Sequence, residues 1–227
     1  MNWRRLRTHP LWHAAVAIAL LVVLQLFVVK LFGVSSQSME PGLRPGDRVV
    51  VNRLAYLRDG PAFGDLVVFT ADSDWDASSE KQAVPTARRW VRGVLGVVGI
   101  GSGNQHYLVK RVIGVAGDTV SCCTFDGLVQ RNGTAIREDY VRDDLEFVPG
   151  ALDCSTTPAS LRCFPAVTVP EDKILVLGDH RSMSKDGISD CRAVEAQASS
   201  CARWVDKSNV VGRVWWVVWP LGRDQPK

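Results

Sequence analysis

The sequence predicts a mainly β protein hung on a single N-terminal transmembrane helix. Three observations lead there. Between Ala14 and Val29 only Gln25 is polar, so the run from 11 to 33 suits a bilayer better than water. Beyond it, the apolar runs are short, rich in valine and isoleucine, and bounded by Gly-Asp or Asn-Gly turns. No later stretch keeps a helical period over several turns.

Arg4, Arg5 and Arg7 precede the apolar run, which is interrupted only by His13, Gln25 and Lys30. With tilt, and with Lys30 snorkelling, it reaches across a hydrocarbon core of about 30 Å. The arginines place residues 1–10 in the cytoplasm and residues 34–227 outside, with 11–33 as a single-pass anchor. A cleaved secretory signal would have a shorter apolar region, about 7–15 residues, and a small-x-small site. No such site precedes the serines that follow. Composition, 46% hydrophobic and 22% charged, describes a globular chain. The roughly 190 residues after the anchor suffice for one elaborated domain or two small ones. A net charge of +3 without a basic, aromatic-interleaved run argues against nucleic acid as a partner.

Strands are expected over 48–53, 63–70, 107–115, 173–179 and 210–220. Residues 127–136 read as a hairpin whose Asn132-Gly133 suits a type I′ turn. Residues 71–106 change character to a mobile insertion, in which 91–103 either touches lipid or forms a buried strand. Residues 137–170 read as a long loop or a small subdomain. The six cysteines, at 122, 123, 154, 163, 191 and 201, all follow the anchor, and an even number outside the cytoplasm favours disulfides. Without a Cys-x-x-Cys pair, and with four scattered histidines, no metal site is expected. Of about fifteen possible pairings, short loop closure favours Cys154 with Cys163 and Cys191 with Cys201. Cys122 and Cys123 are then left for each other or for re-pairing.

Three features carry chemistry. Ser35 to Asp47 packs serines at 35, 36 and 38 together with Pro41, Gly42, Pro45 and Gly46, so it is neither helix interior nor central strand. A turn of that kind can hold a hydroxyl beside free backbone N–H groups, as a nucleophile beside an oxyanion site requires; the plain alternative is a linker. Lys110 alternates with Leu108 and Val112 on one face of the 107–115 strand. Burial there would pull its pKa from about 10.4 towards neutrality and make the amine a base, whereas a solvent-facing lysine would stay charged. The third feature is Gly178-Asp179-His180-Arg181 with Ser184 and Asp186, after a strand. Neither His106 nor His180 comes with an acidic residue in a triad pattern.

In order and wording these segments resemble the type I bacterial signal peptidases, membrane-anchored serine proteases with a Ser–Lys dyad. The likeness runs through Ser36-Gln37-Ser38-Met39-Glu40-Pro41 with Leu43, Gly64 to Phe69, Lys110 to Gly114 with Gly117-Asp118, the 178–186 segment, and Val211-Gly212-Arg213. It implies a β-rich catalytic core of antiparallel sheets with an inserted second β subdomain, the core lying at about 34–70, 107–120 and 171–227 and the insertions at about 71–106 and 121–170. It implies Ser38 as nucleophile, Lys110 as general base, and an oxyanion site from the Ser38 N–H and Ser36 hydroxyl. Ser184 would orient the amine, with Arg111, Asp179 and Asp186 as supporting charges. Phe32, Val34, Met39, Leu43, Val68, Leu108 and Val109 would line shallow pockets selecting small residues before the cut. The resemblance implies signal peptides of secretory preproteins as substrates, membrane lipid and a secretion translocon as partners, the bacterial cytoplasmic membrane as location, and no cofactor. Two departures stand out. Gly42 replaces the usual threonine, and Ser184-Lys185-Asp186-Gly187-Ile188 lacks the arginine that would pair with Asp186. Either Arg192 supplies that charge or the pair is absent. A non-catalytic scaffold on an anchor and a self-cleaving regulatory Ser–Lys protease are the rival readings.

Overall fold

A computed structural model of the 227-residue chain describes residues 10–71, 75, 106–192 and 201–226. Among the described residues a helix, α1 (Pro10–Phe27), leads into the strands β1 (Val29–Gly33), β2 (Arg48–Asn52), β3 (Leu66–Thr70), β4 (Tyr107–Val115), β5 (Thr119–Cys122), β6 (Val129–Arg131), β7 (Thr134–Ala135), β8 (Phe164–Thr168), β9 (Lys173–Leu177), β10 (Val205–Asp206) and β11 (Val210–Trp219). They form a seven-stranded sheet, β1-β2-β11-β3-β4-β9-β10, and a four-stranded sheet, β7-β6-β5-β8. Among the described residues these strands all pair antiparallel. The mainly β expectation therefore holds.

The anchor differs from the reading as one helix from 11 to 33. Helix α1 ends at Phe27, and Val29–Gly33 pairs with Asn52–Arg48 as an edge strand. The β-branched pair Val28-Val29 opens the strand, and β2 supplies hydrogen-bond partners that a continuing helix would have had to find within itself. The 18 residues of α1 rise about 27 Å, a little under a hydrocarbon core. Among the described residues no helix is long and apolar enough to cross a membrane.

Both faces of the large sheet are covered, which explains why β3 reads as an uninterrupted apolar run rather than an alternating one. On one face Val49, Val51, Val68 and Val217 pack with Met39 and Leu43 from the serine segment. On the other, Val67, Phe69, Val112, Ile174 and Val176 pack with Trp75, whose ring meets Phe69 edge to face at 5.2 Å. A third cluster joins Ile113, Leu175 and Leu177 of the large sheet to Val120, Val129 and Val167 of the small one.

The chain passes from β4 to β5 through a turn tied by the Val115 N–H to Asp118 Oδ2 (2.8 Å). Asp118 is held charged by Arg131, Asn132 and that backbone N–H, which outweigh its burial. The hairpin β6–β7 carries positive φ at both Asn132 (53°) and Gly133 (76°), as a type I′ turn requires. Disulfides join Cys122 to Cys123, Cys154 to Cys163 and Cys191 to Cys201. Three sulfurs, those of Cys123, Cys154 and Cys163, lie within 4.8 Å of one another; since all are oxidised to disulfides, none is a thiolate ligand. Apart from Ala71, Trp75 and His106, the insertion expected at 71–106 lies outside the described residues, and so does the choice between lipid contact and buried strand for 91–103.

Phe69 is fully buried between β4 and Trp75. Truncation of such a side chain costs about 3–5 kcal/mol, so Phe69→Ala is expected to lower the urea midpoint sharply without changing the slope. A midpoint within error of the parent would contradict the packing described.

Candidate active site

The serine segment follows β1 and is folded back by the Val34 N–H to the Asp47 carbonyl (2.8 Å) and the Leu43 N–H to the Met39 carbonyl (2.9 Å). Met39 and Leu43, buried in the sheet core, pin the turn from beneath. Ser38 is itself buried, and its hydroxyl oxygen lies 3.2 Å from that of Ser36. The Ser38 carbonyl accepts the His180 N–H at 3.1 Å, which ties the serine to the turn following β9.

Lys110 lies on β4. It pairs with Val67, and its neighbour Arg111 pairs with Leu177 at the end of β9. One further step in that antiparallel register sets Lys110 beside Gly178. A Cβ on Gly178 would stand 2.2 Å from Ser184 Oγ and 2.6 Å from the Ser38 carbonyl. Gly178 is therefore the point on which Ser38 and Ser184 close in, one register step from the Lys110 backbone, and any side chain there would displace both of them.

Lys110 is 3% exposed. Among the described residues it makes no hydrogen bond or ion pair. Burial pulls its ammonium down to about 8, against the opposing carboxylates of Asp186 and Asp179. Ser184 Oγ is buried and without a hydrogen-bond partner. An orphaned hydroxyl at a site carrying a partnerless amine is costly to keep without a role.

The supporting charges are matched in pairs. Arg111 grips Asp179 with Nε to Oδ1 at 2.8 Å and Nη2 to Oδ2 at 2.7 Å, while its Nη1 donates to the Gly64 carbonyl at 3.0 Å. Burial raises the Asp179 pKa, and the Arg111 guanidinium works against it. Asp186 is fully buried, accepts the Ser189 hydroxyl at 3.1 Å, and lies 3.5 Å from Arg192 Nη2. Of the two alternatives, Arg192 thus supplies the charge at Asp186. Ile188, which stands where the arginine was looked for, is fully buried in the core shared by the two sheets. Arg192 directly follows Cys191, whose disulfide to Cys201 restrains that stretch.

The pocket expectation divides. Val34, Met39, Leu43 and Val68 form one buried cluster, with Phe32 and Val109 packed against it. Leu108 points to the opposite face, with Val67, Phe69 and Val112; strand alternation separates it from Val109. Gly42 has Met39 O, Pro226 and Asp179 Oδ2 at 3.6–3.7 Å from a would-be Cβ, ordinary contact, so crowding does not force glycine there. Sequence reasoning gave no role to Gly178, Glu138 or Tyr140. Gly178 opens the Gly178-Asp179-His180-Arg181 motif; the other two lie in the stretch 137–170, which reads as a long loop or a small subdomain.

The buried lysine of β4 and the serine turn packed against Gly178 are the chemistry-bearing features of this region; the comparisons identify the class of protein. The profile described as signal peptidase, peptidase S26, matches residues 7–219. The chain belongs to this family and is an enzyme of the signal peptidase I type. It is 33% identical over 216 residues to "Signal peptidase I" of Mycobacterium tuberculosis, covering 92% of this chain and 71% of that one. "Probable signal peptidase I" of Mycobacterium leprae is 34% identical over 222 residues, covering 92% and 75%. "Signal peptidase IB" of Staphylococcus aureus is 29% identical over 212 residues, covering 91% and 86%.

Gly178→Ala places a methyl group against Ser184 Oγ and the Ser38 carbonyl. A misplacement of about 1 Å at reacting atoms costs on the order of a hundredfold in rate. Peptide-cleavage kinetics should show that loss in kcat while circular dichroism stays that of the parent. Parental turnover would remove Gly178 from the site.

Proposed function

We propose that this chain removes signal peptides from exported preproteins by Ser–Lys catalysis, with Ser38 as nucleophile and Lys110 as general base. The observation that carries the proposal is the buried Lys110 amine, free of any hydrogen bond or ion pair among the described residues. As Ser38 Oγ attacks the scissile carbonyl carbon, its proton passes to neutral Lys110 Nζ. The ammonium then delivers that proton to the departing amine, and water hydrolyses the acyl-serine with Lys110 again acting as base. The Ser38 N–H and the Ser36 hydroxyl, 3.2 Å from Ser38 Oγ, stabilise the tetrahedral oxyanion. Ser184 Oγ orients the amine, and Arg111, Asp179 and Asp186 fix the turn around it.

The substrate lies extended, as an added strand. Side chains at alternate positions meet the apolar surface of Phe32, Val34, Met39, Leu43, Val68 and Val109, with Leu108 contributing only from the lysine face. Shallow apolar surface of this kind favours small residues at the first and third positions before the cut.

Helix α1 exposes Leu11 (72%), Ile18 (62%), Leu20 (65%) and Phe27 (65%), a surface better suited to lipid than to water. Trp215, Trp216 and Trp219, exposed on β11, suit the interfacial zone of the same membrane. With Arg4, Arg5 and Arg7 inside, the catalytic region faces outward on the bacterial cytoplasmic membrane, where a translocon delivers preproteins.

The test is a preprotein with an Ala-x-Ala site incubated with the detergent-solubilised chain. One cut after that site is expected, and none with Ser38→Ala or Lys110→Ala; parental turnover by either variant would refute the dyad. Since the ammonium form is inactive, kcat/KM should rise with pH through an apparent pKa near 8 and level off above it. Lys110→Arg should be inert throughout, because a guanidinium stays protonated. A flat profile between pH 6 and 9 would exclude Lys110 as the base.

A further inference from the structure

Two buried ion pairs hold the turn after β9, and one residue from the segment before β8 links them. Arg181 Nε donates to the Gly178 carbonyl at 3.0 Å, and its Nη2 pairs with Glu138 Oε1. The same Oε1 accepts the Tyr140 hydroxyl at 2.9 Å. Burial raises the Tyr140 pKa, so that hydroxyl stays a donor. The Tyr140 ring in turn lies 3.8 Å from the Arg111 guanidinium, the group that grips Asp179. Backbone bonds run alongside: the Arg142 N–H to the Asp179 carbonyl at 3.0 Å and the Ser182 N–H to the Asp143 carbonyl at 3.2 Å. The turn so clamped carries the His180 N–H that holds Ser38 and the Gly178 backbone that touches Ser184.

We propose that Glu138 is a positioning residue for the Ser38–Lys110 reaction: through Arg181 and Tyr140 it fixes the 178–184 turn against which the nucleophile and the amine are set. The inference rests on the dyad reading above. Glu138 touches no reacting atom; it acts through Gly178 and Asp179.

Its charge matters as well as its reach. The carboxylates that bear on Lys110 are Asp186 and Asp179. Behind them stand Arg192 on Asp186, Arg111 on Asp179, and Arg181 on Glu138. From the serine segment Glu40 lies 4.0 Å from His180 Nδ1, and Asp143 lies 3.4 Å from its Nε2. Neutralising Glu138 removes the hydrogen-bonded partner of Arg181 and leaves that cation only the weaker fields of Asp144 and Asp179. One more net positive charge disfavours the Lys110 ammonium, so its pKa falls further.

The experiment is steady-state cleavage of a signal-peptide substrate across pH by the full chain in detergent. For Glu138→Gln the expected result is a kcat about tenfold lower, a KM within about twofold of the parent, and an acid limb moved to lower pH by about half a unit. Glu138→Asp restores the charge, so its acid limb should return to the parental position with only part of kcat recovered. Tyr140→Phe keeps the ring on Arg111 and the Glu138 charge; it should lower kcat by about threefold and leave the limb in place. A folded Glu138→Gln with parental kcat and parental limb overturns the proposal. Should Glu138→Gln fail to fold, Tyr140→Phe with parental kcat does so instead. These outcomes are separate from failure of the dyad, which shows as residual turnover by Ser38→Ala measured alongside.

Discussion

Around Lys110, three carboxylates and three guanidiniums are paired off: Asp179 with Arg111, Glu138 with Arg181, and Asp186 with Arg192. Among the described residues Lys110 has no such ion-pair partner. A buried cation without a paired counter-ion is costly to keep; that cost brings the Lys110 ammonium down to about 8 against the pull of Asp186 and Asp179, so its proton is more easily lost. The rest of the site follows from this constraint. Arg111 is held off by its bidentate grip on Asp179, and the Ser184 hydroxyl stays buried without a hydrogen-bond partner among the described residues. Such pairs contribute little net stability, yet breaking one leaves a charge stranded, at about 3–5 kcal/mol. The site is therefore sensitive to the loss of either partner.

The two sheets divide this labour. The large one supplies Lys110 and Arg111 on a strand covered on both faces, which gives the lysine its apolar surroundings in Val67 and Val112. The segment between β7 and β8 leans Glu138, Tyr140 and Arg142 onto the turn that closes over them. A stretch that reads as a long loop or a small subdomain thus packs against the turn after β9.

Much of the fold was legible because strand chemistry is local. The valine- and isoleucine-rich runs became β2, β3, β4, β9 and β11, and Asn132-Gly133 made its type I′ turn because both residues accept positive φ. Short separations also anticipated the Cys154–Cys163 and Cys191–Cys201 bridges. Strand β1 was hidden inside an apolar run, since periodicity cannot tell a buried strand from a membrane helix when both are uniformly apolar. Strands β5, which ends at Cys122, and β8, which contains Pro165, are too short for alternation to declare itself.

By itself the sequence determined which residue types could do the chemistry: serines in a turn that no helix accepts, a lysine spaced among apolar neighbours, and a glycine-led acidic motif after a strand. Only the tertiary structure decided which of them meet. Gly178 as the meeting point, Arg192 in place of an arginine at 188, Leu108 on the opposite face from Val109, and Glu138 behind the turn all depend on contacts between segments tens of residues apart. Register and burial set those contacts, and neither is written in any one stretch of chain.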